Sequence, residues 1–274
     1  MIGDWIKLAR LSNALVAGIG VWLGHACLPG PINWTAALLG FGAMTLLAAA
    51  GNMHNDVLDL AADLINRPQR PLPAGRLTSR RALQAAIAIY LTGIVLAGLI
   101  NIPSGLLAAG MALLLGLYNF KLKSMPLWGN LAVAVLCALA LYFPEFPGLP
   151  IYTGLPALFA FLATMAREIA KDAEDIAGDA AVGRNTFPIR FGNRATRIAL
   201  HLLTSAILLL LPLPYLVLHY HPGYVVLVLV GPMPLLISVM LSLSRPLPAW
   251  GKIQRHFKII MLAGMSAIFA GIYF

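Results

Sequence analysis

Two short stretches of this chain concentrate the side chains that could bind a metal ion. They read NDVLDLAAD, residues 55–63, and REIAKDAEDIAGD, residues 167–179, and they hold eight of the ten acidic residues. The eight are Asp56, Asp59, Asp63, Glu168, Asp172, Glu174, Asp175 and Asp179. Carboxylates without a His or Cys at zinc spacing favour a hard cation such as Mg²⁺, which binds partly through the phosphate oxygens of its substrate. The residue types therefore predict a Mg²⁺ site that handles a phosphate-bearing compound.

The spacing of these residues predicts two polar helix faces. At 100° per residue, side chains three or four positions apart lie on the same face of a helix. The first face continues out of the second apolar segment and contains Asn52, Asn55, Asp59 and Asp63. The second face contains Glu168, Asp172, Asp175 and Asp179. Like charges four residues apart destabilise a helix unless cations compensate them, so both faces are expected to bind cations.

The two stretches also match each other in register. Adding 116 to the positions of Asp56, Asp59 and Asp63 gives Asp172, Asp175 and Asp179. Each stretch is followed by a basic, proline-containing loop, NRPQRPLPAGR in one case and GRNTFPIRFGNR in the other. We therefore predict two related halves, about 1–125 and 126–274, that each contribute one acidic helix end to a common cavity.

Apolar helices must position these stretches, because the chain is 60% hydrophobic and only 11% charged. A helix needs about 20 apolar residues to cross a bilayer. The candidate spans lie near 12–28, 35–54, 82–100, 104–119, 127–143, 151–170, 197–214, 224–243 and 257–274. We expect an all-α polytopic membrane protein with about nine transmembrane helices around a central cavity, in one integral-membrane domain of residues 1–274. The first apolar run is expected to be a span rather than a cleavable signal peptide.

The net charge of +9 is distributed in a way that predicts topology rather than nucleic-acid binding. The Lys and Arg residues fall almost entirely in the N-terminal segment and in alternate loops. The opposite loops, LPGPIN, NIPSG, FPEFPGLP and HYHPG, contain neither. This asymmetry predicts a protein of the cell membrane whose N-terminus and active-site loops face the cytoplasm. The two cysteines, Cys27 and Cys137, lie apart in apolar runs and are expected to be buried hydrophobic side chains.

Two acidic clusters, Mg²⁺ and basic loops together favour a diphosphate site, because Mg²⁺ allows carboxylates to hold an anion while Arg and Lys contact its remaining oxygens. Apolar spans around such a site would accommodate a long prenyl tail, since each buried CH₂ contributes about 0.8 kcal/mol. We therefore expect an allylic prenyl diphosphate to ionise here, and a nucleophile to capture the allylic carbocation where water is scarce. The residues do not identify a general base.

Three segments resemble the UbiA superfamily of intramembrane prenyltransferases. NDVLDLAADLINRPQRPLPAGR resembles its first aspartate motif and the basic loop after it. REIAKDAEDIAGDAAVGRNTFPIRFG resembles the second motif, and LYNFKLKSMPLWGN resembles the segment between them. The resemblance implies a bundle of nine helices with a central cavity and Mg²⁺-dependent prenyl transfer.

Matching the motifs position by position implies roles for individual residues. The implied metal ligands are Asn55, Asp59, Asp63, Asp175 and Asp179, and the four aspartates among them are the implied catalytic residues. The implied substrate contacts are Asn55, Asp56, Arg67, Lys121, Lys123, Lys171 and Asp172. Membrane topology alone could also account for the basic residues in this set.

Within the superfamily, the second motif most resembles the branch that transfers a geranylgeranyl group to geranylgeranylglyceryl phosphate during ether-lipid synthesis. One alternative is prenylation of an aromatic acceptor, such as 4-hydroxybenzoate or a naphthoate, in quinone synthesis. A second alternative is a cation transporter, since ionisable residues in membranes often mark ion paths. We expect as partners a prenyl diphosphate donor, a lipid-like acceptor and membrane lipids, with no nucleic acid and no obligate protein partner.

Overall fold

The computed structural model describes residues 2–274, with the side chains of all of them except Ala62, Ile65 and Asn66. Every regular element within these residues is helical, which confirms the all-α prediction. The α-helices in chain order are α1 (Ile2–Ala9), α2 (Leu11–Cys27), α3 (Trp34–Leu58), α4 (Leu60–Asn66), α5 (Ser79–Gly98), α6 (Ile102–Phe120), α7 (Trp128–Tyr142), α8 (Gly154–Glu174), α9 (Ile176–Ala181), α10 (Phe187–Leu210), α11 (Leu213–Val217), α12 (Pro222–Val230), α13 (Pro232–Leu243) and α14 (Trp250–Tyr273). Two 3₁₀ turns cover Leu122–Ser124 and Phe143–Glu145.

Polar side chains determine where several of the long helices begin. Asn33, Thr78 and Asn101 immediately precede α3, α5 and α6. The side chain of each accepts a hydrogen bond from a backbone N–H three residues later, at 3.1, 3.4 and 2.7 Å respectively. Each bond satisfies one of the N–H groups that the first turn of a helix leaves without a partner.

Seven helical segments in the described residues are long and apolar enough to cross a membrane. The bent pair of α1 and α2, which meet at 52°, would make an eighth span. A ninth predicted span, 151–170, corresponds to α8, which has 21 residues but carries charged side chains in its last turns. The predicted count of nine is therefore approximate, while the multi-span membrane architecture is confirmed.

The chain divides into two compact units. The first comprises the residues up to His25, Gly30–Leu122 and Ala140–Pro150. The second comprises Ala26–Pro29, Lys123–Leu139 and Ile151–Phe274. The main division, after Leu122, falls near the boundary of the halves expected from sequence. That the two halves are related remains a prediction.

Helix α3 is the central helix of the first unit and packs against α1, α5 and α6. Small residues allow close packing: a Cβ added at Gly93 of α5 would lie 3.1 Å from the carbonyl oxygen of Ala43 in α3. Close to the acidic end of α3, one apolar cluster is formed by Leu8, Met53, Leu72, Ala82 and Ala86. The cluster joins α1, α3, α5 and the basic loop, and so fixes the surroundings of the first acidic stretch.

Helix α8 has the corresponding place in the second unit, where it packs against α10 and α14, and α14 packs in turn against α12 and α13. Hydrogen bonds reinforce this packing. The Tyr224 hydroxyl donates to the carbonyl of Leu211 at 2.8 Å, and the Arg197 Nε donates to the carbonyl of Leu243 at 2.7 Å. The second acidic stretch therefore also begins at the end of a well-packed helix.

Candidate active site

The first acidic stretch contains a helix break at Asp59. Helix α3 ends at Leu58, Asp59 has φ −91° and ψ 6°, and α4 begins at Leu60. The backbone bonds nevertheless keep helical spacing, since Asp59 N–H donates to Asn55 O at 2.9 Å and Asp63 N–H donates to Asp59 O at 2.8 Å. The sequence predicted a helix that continues out of the second apolar segment; the chain does continue as a helix there, and the structure adds a break at Asp59.

The second acidic stretch repeats this break at Asp175. Helix α8 ends at Glu174, Asp175 has φ −93° and ψ 8°, and α9 begins at Ile176. Asp175 N–H donates to Lys171 O at 3.0 Å, and Asp179 N–H donates to Asp175 O at 3.0 Å. Asp59 and Asp175 are 116 residues apart, so the register found in the sequence extends to the backbone conformation of the break.

Side-chain contacts in the first stretch form a connected polar network. The Asn55 amide donates to Asp59 Oδ2 at 3.0 Å. A guanidinium nitrogen of Arg70 contacts Asp63 Oδ2 at 2.6 Å and Asp56 Oδ1 at 3.2 Å. Arg10 also donates to Asp56 Oδ1. The structure therefore brings together Asn55 with Asp59, and Asp56 with Asp63 through the shared Arg70.

The second stretch relies more on neutral and local partners. The Asn130 amide donates to Asp172 Oδ2 at 2.7 Å, and Arg184 contacts Asp179 Oδ1 at 3.0 Å. Burial raises the pKa of Asp172, which lies beyond the predicted span 151–170, to about 7, although Lys171 and Asn130 favour its charged form. Burial likewise raises the pKa of Asp179, with Arg184 opposing the shift. A carboxylate removed from water is harder to ionise, and nearby cations favour the charged form of both groups.

The basic residues predicted as substrate contacts lie in several different settings. Lys171 contacts Glu168 Oε2 at 3.2 Å, and Arg167 donates to the other oxygen of that carboxylate. Arg67 and Lys121 are exposed at the ends of α4 and α6, while Lys123 is half-buried in a 3₁₀ turn. Their predicted contacts with diphosphate or acceptor remain predictions.

The region around the start of α7 is joined both to the second acidic stretch and to the loop that follows it. Asn130, near the start of α7, holds Asp172 as described above. The backbone N–H of Asn185, in the loop after α9, donates to the carbonyl of Ser124 at 3.2 Å. The middle segment therefore helps to position the second acidic stretch within the second unit.

Sequence reasoning missed four residues that contact the aspartates: Arg10, Arg70, Asn130 and Arg184. Arg70 and Arg184 follow the acidic stretches by seven and five residues. That placement was a usable signal, but topology explained the charges equally well. Arg10 is 46 residues from Asp56, and nothing in the local sequence indicates their contact.

The donor groups fit a Mg²⁺ ion that shares its coordination with phosphate oxygens. Among residues 2–274, no three His, Cys, Asp or Glu side chains form a complete metal-binding group. Mg²⁺ is usually held by only one or two carboxylates together with substrate phosphates and water, so a complete protein cage is not required. In the first stretch Asp59 Oδ2 accepts from the Asn55 amide and Asp63 Oδ2 accepts from Arg70. Carboxylate oxygens are the protein ligands that Mg²⁺ prefers.

Known proteins resemble this chain over almost its full length. The digeranylgeranylglyceryl phosphate synthase of Methanopyrus kandleri is 35% identical over 272 residues, covering 98% of each chain. A solved structure of a digeranylgeranylglyceryl phosphate synthase shares 30% identity, with a TM-score of 0.79 over 99% of this chain and 98% of the other. A UbiA homologue from Archaeoglobus fulgidus bound to GPP and Mg²⁺ shares the fold, with a TM-score of 0.71 and 21% identity over 99% of this chain and 100% of the other.

Residues 14–268 match the UbiA prenyltransferase family, and this range includes both acidic stretches and the segment between them. The predicted resemblance is therefore confirmed by the family match and by the relatives of nearly equal length. The chain belongs to the UbiA prenyltransferase family and is an intramembrane prenyltransferase.

Proposed function

We propose that this protein transfers a geranylgeranyl group from geranylgeranyl diphosphate to geranylgeranylglyceryl phosphate, as a step in ether-lipid synthesis. The observation that carries the proposal is the 35% identity, over 98% of both chains, to a digeranylgeranylglyceryl phosphate synthase. Relatives that share a reaction and a full-length fold are a stronger guide to the acceptor than the fold alone, because one fold supports many reactions.

The proposed metal and diphosphate ligands come from both acidic stretches. In this proposal the Mg²⁺ ligands are Asn55, Asp59 and Asp63 of the first acidic stretch and Asp175 and Asp179 of the second. The oxygen-only donor set supports this assignment. The Mg²⁺ bound to GPP in the Archaeoglobus fulgidus homologue agrees with it.

The remaining assignments concern the substrate. Asp56 and Asp172 assist the metal ligands without contacting the metal. Lys171 lies within the second acidic stretch, and Lys123 neighbours Ser124, whose carbonyl contacts the loop after that stretch. With Arg67 and Lys121 they supply positive charge for phosphate oxygens. Arg and Lys favour such contacts because their charged N–H groups form short, strong hydrogen bonds to phosphate.

The reaction breaks the bond between C1 of the donor and a diphosphate oxygen, and it forms an ether bond from C1 to the glycerol hydroxyl, which loses its proton. Bound Mg²⁺ stabilises the negative charge that develops on the leaving diphosphate. The carboxylates orient the diphosphate head, and basic side chains contact its outer oxygens. The apolar helices hold the prenyl tail and exclude water, which would otherwise compete for the allylic cation.

We further propose that the protein lies in the cell membrane with its N-terminus and both acidic stretches on the cytoplasmic side. The concentration of Lys and Arg in the N-terminal segment and alternate loops supports this orientation. Cysteine labelling with a membrane-impermeant reagent would test it. A cysteine introduced at Arg67 should react only when the reagent can reach the cytoplasmic face, as in permeabilised cells or inverted membrane vesicles.

The acceptor is tested with purified protein, Mg²⁺ and labelled geranylgeranyl diphosphate. Geranylgeranylglyceryl phosphate, 4-hydroxybenzoate and a naphthoate are each offered in turn, and products are identified by mass spectrometry. We expect the doubly prenylated glyceryl phosphate as the product. Exclusive formation of a prenylated aromatic would contradict the proposed acceptor while leaving prenyl transfer intact. Activity of the purified chain alone would also show that no partner protein is needed.

A further inference from the structure

The residues at the break between α1 and α2 contact the acidic end of α3. Arg10 is the one residue between these two helices, and its φ of 47° lies in the left-handed region that non-glycine residues seldom adopt. Such a conformation persists only where surrounding contacts hold it. The contacts around Arg10 therefore require an explanation.

Three consecutive residues at the break each contact α3. Leu8 is fully buried and packs in the cluster that contains Met53. The carbonyl of Ala9, at the end of α1, accepts a hydrogen bond from the Asn52 amide at 3.0 Å. The third residue, Arg10, donates to the Asp56 carboxylate.

From Asp56 the contacts continue into the proposed metal site. Asp56 is only 3% exposed, and its Oδ1 accepts from both Arg10 and Arg70. The same nitrogen of Arg70 donates to Oδ2 of Asp63 at 2.6 Å. The order of contacts is therefore Arg10, Asp56, Arg70 and Asp63, with cations and anions alternating.

This arrangement distinguishes Asp56 from the proposed metal ligands. Two guanidinium groups share one of its oxygens, and burying a carboxylate is favourable only when it is paired in this way. The left-handed backbone at Arg10 aims its side chain at Asp56, while the Asn52 bond to Ala9 holds the break in place. The first acidic stretch thus depends on a residue outside all three motifs of the resemblance.

We propose that Arg10 is a positioning residue of the first aspartate motif. By holding Asp56, it keeps Arg70 on one oxygen of Asp63, so that the Asp63 carboxylate stays in the position from which it would bind Mg²⁺. The role in metal binding rests on the proposed function, whereas the coupling between Arg10 and Asp56 does not. Residues around metal ligands typically change metal affinity about 10–100-fold when they are mutated.

A double-mutant cycle tests the proposal with Arg10→Ala, Asp56→Asn and the double variant. The first readout is the rise in unfolding temperature that Mg²⁺ with inorganic diphosphate produces in the purified protein, titrated in Mg²⁺. The second readout is the Mg²⁺ concentration that gives half-maximal prenyl transfer. Each single variant should need about 10-fold more Mg²⁺ or more. The double variant should differ from either by no more than about 2-fold, because both substitutions break the same chain of contacts.

Two control variants distinguish a role of Arg10 in positioning the first aspartate motif from a general role in holding α1 against α3. Lys7→Ala removes an exposed cation from α1, and Leu8→Ala weakens the packing of α1 on α3 without touching the ion pairs. Both should bind Mg²⁺ with diphosphate as the wild type does, even though Leu8→Ala lowers the unfolding temperature. Equal loss of Mg²⁺ affinity in Leu8→Ala and Arg10→Ala would overturn the positioning role.

The remaining outcomes are also decisive. Single-variant effects that multiply in the double variant would show that Arg10 and Asp56 act independently, and would overturn the proposal. If Arg10→Ala responded to Mg²⁺ and diphosphate as the wild type does, the positioning role would also be overturned. The proposed function would be unaffected by that result. No response in the wild type would contradict the proposed function and, with it, the positioning role.

Discussion

The two acidic stretches share a backbone conformation but differ in the partners of their side chains. Asp59 and Asp175 occupy the same kind of helix break, with φ and ψ that agree within a few degrees. The aspartates that precede these breaks have unlike partners, since Asp56 is paired with two guanidinium groups whereas Asp172 accepts from a neutral amide. The shared backbone conformation is where a common metal role is expected, and the unlike partners are where the two stretches are expected to respond differently to substitution.

The difference lies in charge compensation. In the first stretch, Arg70 joins two carboxylates, and Arg10 adds a second positive charge from another helix. In the second stretch, Arg184 contacts one carboxylate and belongs to the loop that follows directly. The first stretch is therefore held by ion pairs that reach across the unit. The ion pairs described above for the second stretch are local, and its contact with α7 is made by the neutral amide of Asn130.

The largest effect is expected when the shared feature is removed. Asp59→Asn and Asp175→Asn should each lower turnover by about 1000-fold, since loss of metal stabilisation amounts to several kcal/mol of transition-state free energy. Turnover is measured with labelled geranylgeranyl diphosphate, and the unfolding temperature serves as the control for folding. A large loss of turnover in only one of the two variants would show that Asp59 and Asp175 do not have equivalent roles.

A second comparison removes the charge of the two unlike aspartates. Asp56→Asn should lower the free energy of unfolding by about 3 kcal/mol, because it leaves two guanidinium groups beside a buried neutral side chain. Asp172→Asn should lower it far less, because an amide can still accept from Asn130 after rotation. Thermal unfolding in the absence of Mg²⁺ measures both. Equal destabilisation would show that the difference in partners has no energetic consequence.

A third comparison concerns the two arginines that follow the stretches. Arg70→Ala should raise the Mg²⁺ requirement about 10–100-fold, because it removes the guanidinium group that joins Asp56 to Asp63. Arg184→Ala should raise it only a few-fold, since its ion pair with Asp179 does not join two carboxylates of the metal motif as Arg70 does. Titration of prenyl transfer against Mg²⁺ ranks the two variants. If Arg184→Ala raised the Mg²⁺ requirement more than Arg70→Ala does, the more extended network would not belong to the first stretch.

The smallest expected effect is a pH dependence carried by Asp172. Burial raises the pKa of its carboxyl group to about 7, above its ordinary value of 3.8, so the folded protein binds this proton more tightly than the unfolded chain does. Stability from this group is therefore greatest below pH 4 and falls as the pH rises towards 7. Between pH 6 and 7.5 the loss should be about 1 kcal/mol. Asp172→Asn should remove this pH dependence of the free energy of unfolding. If the variant kept the wild-type pH dependence, another group would be responsible for it.

The sequence predicted the features that depend on local spacing. Aspartates at helical intervals, long apolar runs and the offset of 116 residues led to the helical membrane fold and to the residues of both stretches. The fold prediction succeeded because helix periodicity and membrane burial act on neighbouring residues in the chain, whereas the roles of the residues in the two stretches remain predictions.

The contacts that distinguish the two stretches could not be predicted in the same way. Arg10 reaches Asp56 across 46 residues, and Asn130 reaches Asp172 across 42. Both contacts depend on how helices pack, which one sequence does not specify locally. The break at Asp59 was also missed, because Asp59 is flanked by residues that would fit an uninterrupted helix.

The most direct test of the account is the Mg²⁺-dependent binding of a non-hydrolysable geranylgeranyl thiodiphosphate to the wild type, Asp59→Asn and Asp175→Asn. Binding is followed by isothermal titration calorimetry in the presence and absence of Mg²⁺. If both stretches hold the same diphosphate, the wild type should bind only with Mg²⁺, and each variant should lose most of that binding. Wild-type affinity in either correctly folded variant would contradict the claim that the two stretches act on one substrate.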